Sequence, residues 1–232
     1  MIPVSSWYTQ LSIHTFPTLF IGLNEQEAEA LAAGEQDGKY TDAVVKRINQ
    51  AIRLLPGSIV IHADVCAPTD SPLFQKIPAC KSGRQAWRML TSSAKVVNAV
   101  KEGKTRRLGL HSYRRLDPIR EFRMFIKDGE LKAMSQMRLE RHYRRLEGRK
   151  PAIWKEGLKL CLAIHDFLPS PDLTIDVYFT SDSELMIIDM NLWGDPTEPL
   201  LLKSWDRDWK EAVGLRTIPP PFQMKGNVEV NF

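Results

Sequence analysis

The sequence predicts an α+β fold in which antiparallel hairpins are flanked by helices, not a doubly wound parallel sheet. Three observations predict it. Asp128-Gly129 separates two alternating segments, 121–127 and 130–137, a strong signal for a tight hairpin turn. A second pair of alternating segments, 173–179 and 185–192, flanks a short polar turn. Helical patterns are mixed among these strands rather than alternating with them one for one.

In chain order, Asn24 to Ala33 is rich in Glu and Ala and predicts a helix. Thr41 to Leu55 carries Ala43, Val44, Ile48, Ile52 and Leu55 at helical spacing and ends at Pro56-Gly57. Ser58 to Ala63 reads as a short buried strand, followed by a loop with prolines 68, 72 and 78. Gln85 to Val100 predicts one helix, with Trp87, Leu90, Val97 and Val100 near one face, and Leu108 to Tyr113 a strand. After the first hairpin, Leu139 to Arg149 predicts a basic helix. Ala152 to Leu168 predicts an amphipathic helix closed by Pro169. The tail around Pro219-Pro220-Pro221 is expected to be irregular.

The 232 residues, 43% hydrophobic, are enough for a large core or a two-lobed unit, and a net charge of +4 does not by itself mark a nucleic-acid binder. Cys66, Cys80 and Cys161 make no C-x-x-C pair, which argues against a disulfide framework and a zinc site. The five histidines form no H-x-x-x-H pair. No basic-then-apolar leader and no run of about 18 apolar residues is visible, so a cytoplasmic protein without membrane attachment is expected.

The second hairpin carries the most chemistry. Pairing it about a four-residue loop, Ser181 to Glu184, sets Asp176 opposite Asp189, Tyr178 opposite Ile187 and Thr180 opposite Leu185. Asp189 and Asn191 share that face by the two-residue period, and the other face is apolar. Opposed carboxylates repel, so something should neutralise them. A hard cation such as Mg²⁺ suits two carboxylates and an amide oxygen. A shared proton for acid–base work and simple solvation are the alternatives.

In the first hairpin, Lys127 opposite Glu130 places Phe125 opposite Lys132, Arg123 opposite Met134 and Glu121 opposite Gln136. Arg123 and Gln136 are then diagonal neighbours on a polar face, where an arginine fork could take phosphate or simply face solvent. The basic run Arg138, Arg141, His142, Arg144, Arg145, Arg149 and Lys150 suits either an anionic partner or a solvated face. Only Tyr143 is interleaved, so RNA binding is not favoured.

Several stretches together resemble the cell division cycle protein 123 family. They are residues 120–127 (REFRMFIK), 135–138 (SQMR), 175–178 (IDVY), 188–191 (IDMN) and 200–205 (LLLKSW), with weaker echoes at 67–70 and 91–93. The resemblance implies a two-lobed ATP-grasp-like fold. Its parts would be an N-terminal helical segment (1–55), a smaller nucleotide-binding lobe (56–118) and a larger lobe with the metal-binding hairpin (119–232). It implies ATP and Mg²⁺ as cofactors, with Asp176, Asp189 and Asn191 on the metal and Asp176 also at the nucleotide. His62, Arg123 and Gln136 would lie near the phosphates, with Arg123 the catalytic group. Leu110, Ser112 and Tyr113 would lie at an adenine-binding hinge. The chain departs from the family in two places: the family has a lysine at His62 and an Arg-Lys pair at His111-Ser112. A histidine is mostly neutral near pH 7, so a weaker grip on phosphate is expected from this lobe. Two functions follow from the resemblance: an ATP-dependent carboxylate–amine ligase modifying a protein or small molecule, or a non-catalytic ATP-dependent assembly chaperone for a translation initiation factor.

Overall fold

The structure, a computed structural model, describes residues 2–221. In chain order its main elements are α1 (Val4–Leu11), β1 (Thr18–Gly22), α2 (Glu25–Ala33), α3 (Lys39–Ile52), β2 (Ile59–Ala63), α4 (Pro72–Lys76), α5 (Gly83–Thr91), α6 (Ala94–Lys101) and β3 (Arg107–Ser112). These are followed by β4 (Glu121–Lys127), β5 (Glu130–Gln136), α7 (Arg144–Glu147), α8 (Lys150–Ile164), β6 (Leu173–Phe179), β7 (Leu185–Leu192) and β8 (Gly214–Arg216). The strands form two sheets, one ordered β1-β3-β2 and the other β7-β6-β4-β5-β8. All pairs are antiparallel except β5 with β8.

Each sheet has its own core. Leu31, Val44, Ile48, Trp87, Leu90 and Val96, from α2, α3, α5 and α6, pack on Ile59, Ile61, Leu108 and Leu110 of the small sheet. Trp7 and Leu11 of α1 and Ile153, Leu160 and Ile164 of α8 pack on Phe122, Met124, Ile126 and Ile175 of the large sheet. Burying a side chain of this size stabilises by about 1.5–3 kcal/mol, so each sheet is anchored by its own helices. The opposite face of the large sheet is covered near Phe125 by Trp193, Trp205 and Trp209. No helix among the described residues is long and apolar enough to cross a membrane.

The helix at α2 starts where the sequence places it. The Asn24 side chain accepts from the Glu27 N–H while Glu27 accepts from the Asn24 N–H, and Gly34 ends the helix at φ +72°. Other expectations need correction. The first 55 residues are not a separate helical segment: β1 joins the small sheet, α2 and α3 cover it, and α1 belongs to the large-sheet core. Helix 85–100 is broken at Ser92-Ser93. The Ser93 hydroxyl caps α6 through the Val96 N–H, and Asp70 accepts from Ser93 Oγ and the Lys95 N–H. The basic helix shrinks to Arg144–Glu147, with 138–143 irregular. There Gln136, fully buried, spends its amide on the Arg138 and Arg141 carbonyls and accepts from the Ile218 N–H. Of the tail expected to be irregular, 222–232 lies outside the described residues, and just before it β8 adds a strand beside β5.

Both hairpins carry a bulge that pattern reasoning misses. In the first, Lys127 faces Glu130 as expected, but Phe125 faces Ala133, not Lys132, so Arg123 faces Ser135 and Phe122 faces Gln136. The extra residue lets Met134 turn into the core, where it sits so close to α8 that a Cβ on Gly157 would lie 2.6 Å from its sulfur. In the second, Asp176 faces Asp189 and Ile175 faces Met190 as expected. Beyond them the register shifts, pairing Val177 with Ile187, Tyr178 with Met186 and Phe179 with Leu185. Ile187 is thereby fully buried, and Thr15 bonds its carbonyl.

The chain crosses between the sheets twice, at 15–17 and at 113–117. A noncovalent tie adds to these. Asp64, beyond β2, accepts from the Ser5 N–H at 2.7 Å and the Ser5 hydroxyl at 2.6 Å, capping α1 from the other sheet.

Gly109 lies opposite His62 in the β2–β3 register, and a Cβ there would come within 2.3 Å of the imidazole. Gly109→Ala should therefore cost about 1–3 kcal/mol in urea unfolding. Combined with His62→Ala, the same substitution should cost less than half as much, and a full cost in both backgrounds would show that the ring is not what it meets.

Candidate functional site

The large sheet presents a polar face at the middle of β4, β6 and β7. Arg123 of β4 is opposite Asp176 of β6 and bonds it with both ends of its fork, Nε at 2.7 Å and Nη2 at 2.8 Å. Nη1 bonds the Glu198 carbonyl at 2.9 Å, so all three guanidinium nitrogens are engaged. On the far side of β6, Asp189 is opposite Asp176 and Asn191 opposite Thr174. Asp189 accepts from its neighbour's Met190 N–H at 2.8 Å. Burial, reinforced by the Asp176 charge, still pushes its carboxyl up to about 7. Arg123 bonds Asp176, and among the described residues no cation lies within ion-pair reach of Asp189.

Two further groups complete this face. Asn191 is 8% exposed, and the buried Thr174 Oγ1 has no hydrogen-bond partner. Two carboxylates, an amide oxygen and a hydroxyl oxygen form a hard, all-oxygen donor set that fits Mg²⁺. Among the described residues no three His, Cys, Asp or Glu side chains come together, so any cation here would depend on the amide and hydroxyl oxygens as well as the two carboxylates.

Asp189 and Ile188 also form one wall of a cleft of about 190 Å³ between the sheets. The opposite wall comes from the small sheet: His62 on β2, His111 on β3, and Phe16 before β1. Phe16 stacks on His111 at 6.0 Å between ring centres, and His111 lies 5.9 Å from His62. The Nδ1 of His62 bonds the Ala63 carbonyl and that of His111 the Ser112 carbonyl. A carbonyl only accepts, so each Nδ1 carries the hydrogen and each neutral ring keeps a lone pair on Nε2. Burial lowers His62 to about 4 and lowers His111 as well. The two histidines of this wall are thus neutral near pH 7, Asp64 brings a carboxylate to the same side, and among the described residues no lysine or arginine lines the cleft. Ligand pockets usually run to about 300–1,000 Å³, so this one holds a ring-sized group while a longer ligand extends outside it.

The expected site residues separate into those the fold brings together and those it does not. Arg123, Asp176, Asp189 and Asn191 share one face, with His62 across the cleft. Leu110 points into the small core and pairs with strands on both sides. Ser112 pairs with Ile59, and the Tyr113 N–H is taken by the Ser58 carbonyl at 2.7 Å, so little of this segment's backbone is free. Gln136 is not beside Arg123: the bulge places it opposite Phe122, holding the 138–141 loop.

Sequence reasoning missed Thr174, although its spacing from Asp176 puts it on the same face. It also missed Phe16 and Asp64, for which no local signal exists because their partners are distant in the chain.

Asp189 should give the metal-free protein a distinct pH dependence. Its folded pKa lies above the unfolded value, so the folded state holds the proton more tightly, and stability falls as pH rises from the ordinary carboxylate range through about 7. Asp189→Asn should remove this slope and melt higher than the parent at pH 8 in EDTA; parallel melting curves would contradict it. Arg123→Ala, by leaving Asp176 buried and unpaired, should cost about 3–5 kcal/mol in chemical denaturation.

The family model described as D123 matches residues 21–212. The putative CDC123-like protein L884 of Acanthamoeba polyphaga mimivirus is 24% identical over 225 residues, taking in 89% of this chain and 69% of that protein. The translation initiation factor eIF2 assembly protein of Dictyostelium discoideum is 32% identical over 107 residues, which is 46% of this chain but only 28% of that protein. The structure of Cdc123 from Schizosaccharomyces pombe superposes with a TM-score of 0.80 at 23% identity, covering 94% of this chain and 95% of that one, so the two share a fold. With the model spanning most of its length, the chain belongs to the D123 family.

Proposed function

We propose that this chain binds ATP with Mg²⁺ in the cleft between its two sheets and uses the bound state to assist assembly of a protein of translation initiation. The observation that carries the nucleotide part is Asp189, a half-buried carboxylate opposite another on the cleft wall, with no cation within ion-pair reach among the described residues. The partner part is supported by family membership and by relatives named as eIF2 assembly proteins.

Each side chain has a definable task. Asp176, Asp189, Asn191 and Thr174 offer oxygens to the cation, while Arg123 holds the Asp176 carboxylate in a fixed orientation. When bound, Mg²⁺ would neutralise the carboxylates and link them to phosphate oxygens. His62 and His111 present Nε2 acceptors to a ring N–H, and Phe16 contributes an apolar edge.

The ligase reading requires a cation free to stabilise a transferring phosphoryl group. Arg123, the residue assigned to that task, has every nitrogen committed, which favours the assembly reading.

Calorimetric titration with ATP tests the site. Binding should require Mg²⁺ and weaken at least about tenfold in Asp189→Asn, whose fold should persist because a buried repulsion is relieved. Unchanged affinity in that variant refutes the site. Sustained ADP release on adding candidate acceptors would restore the ligase.

A further inference from the structure

The basic run after β5 remains outside the nucleotide site, and its neighbours give it a definite surface. Arg138, Arg141, Arg144 and Arg149 are exposed, as are Arg114 and Arg115 of the 113–117 crossing. Among the described residues none of the six has a carboxylate within salt-bridge reach, whereas the intervening Arg145 and Lys150 are paired with Asp117 and Glu147. The Arg145–Asp117 pair, 2.8 Å, ties α7 to the crossing that carries Arg114 and Arg115. Six uncompensated positive charges exceed the chain's whole net charge of +4, so the rest of the molecule is slightly acidic.

This rim is built, not merely exposed. Gln136 is fully buried and commits its amide to the Arg138 and Arg141 carbonyls and the Ile218 N–H. His142 bonds the Ile218 carbonyl at 2.9 Å. Two of the guanidinium groups lie over aromatic rings, Arg141 over Tyr143 at 5.3 Å and Arg114 over Phe16 at 5.8 Å. A guanidinium held in this way loses less freedom when its fork meets a carboxylate.

The same contacts choose between partners. Single-stranded nucleic acid binds where aromatic faces are free for bases to stack. Here the faces of Tyr143 and Phe16 already carry arginines, and within 138–150 Tyr143 is the one Phe, Tyr or Trp side chain. Carboxylates need only the forks. We propose that this arginine rim is a docking surface for an acidic, Glu/Asp-rich peptide segment of a partner protein.

The test uses a fluorescently labelled oligo-glutamate peptide and, separately, a single-stranded RNA of equal charge. The parent chain should bind the peptide, with affinity falling as salt is raised. Arg141→Glu with Arg144→Glu should weaken it about tenfold or more. Lys46→Glu with Lys101→Glu makes the same change in net charge on exposed positions far from the rim and should weaken binding less than about twofold. All these positions are exposed, so melting temperatures should be unchanged, and a variant that does melt lower is replaced by Arg141→Ala with Arg144→Ala. No binding by the parent chain, equal loss in both charge-matched variants, or tighter binding of RNA with a steep salt slope each overturns the proposal.

Discussion

The candidate site is organised by one buried ion pair, Arg123 with Asp176. Removing two charges from water costs several kcal/mol apiece, and only close geometry offsets it. The fork supplies that geometry and reaches on to the Glu198 carbonyl, so one side chain aligns β4 with β6 and anchors the segment after β7. Its second effect is indirect. Because Arg123 satisfies Asp176 so completely, the neighbouring Asp189 has no cation of its own. The electrostatic imbalance on this face, on which the proposed Mg²⁺ site rests, is a by-product of how well the adjacent pair is balanced.

The two walls of the cleft divide the work of recognition by charge type. The large-sheet wall is anionic and suits a metal. The small-sheet wall presents two neutral histidines, fixed as acceptors by bonds from Nδ1 to their own strands, beside the Asp64 carboxylate. Among the described residues neither lining offers a lysine or arginine to a phosphate, so in the proposed reading a phosphate would be held through the metal. The rings at 62 and 111 are neutral because they are buried, in addition to being imidazoles.

What was legible in the sequence is what local periodicity controls. The hairpin at Asp128-Gly129, the α2 helix and the opposition of Asp176 to Asp189 all follow from a few adjacent residues. The bulges were not legible, because a one-residue slip depends on which side chain the core can receive. Met134 turns inward because Gly157, more than twenty residues later, leaves space for its sulfur. The break between α5 and α6 likewise depends on Asp70, which lies well outside the helical pattern. The basic helix failed for the same reason: its first turn is held open by a buried glutamine.

The two chain crossings and the Asp64 cap on α1 also determine how the sheets can move. A single covalent link would leave them free to swivel. Two links, at 15–17 and 113–117, define an axis, and only rotation about that axis leaves both unstretched. Any rotation of one sheet against the other would then be close to a single mechanical degree of freedom, like a door on two hinges. The bonds from Ser5 to Asp64 act as its latch, since they join the sheets without being part of either covalent link.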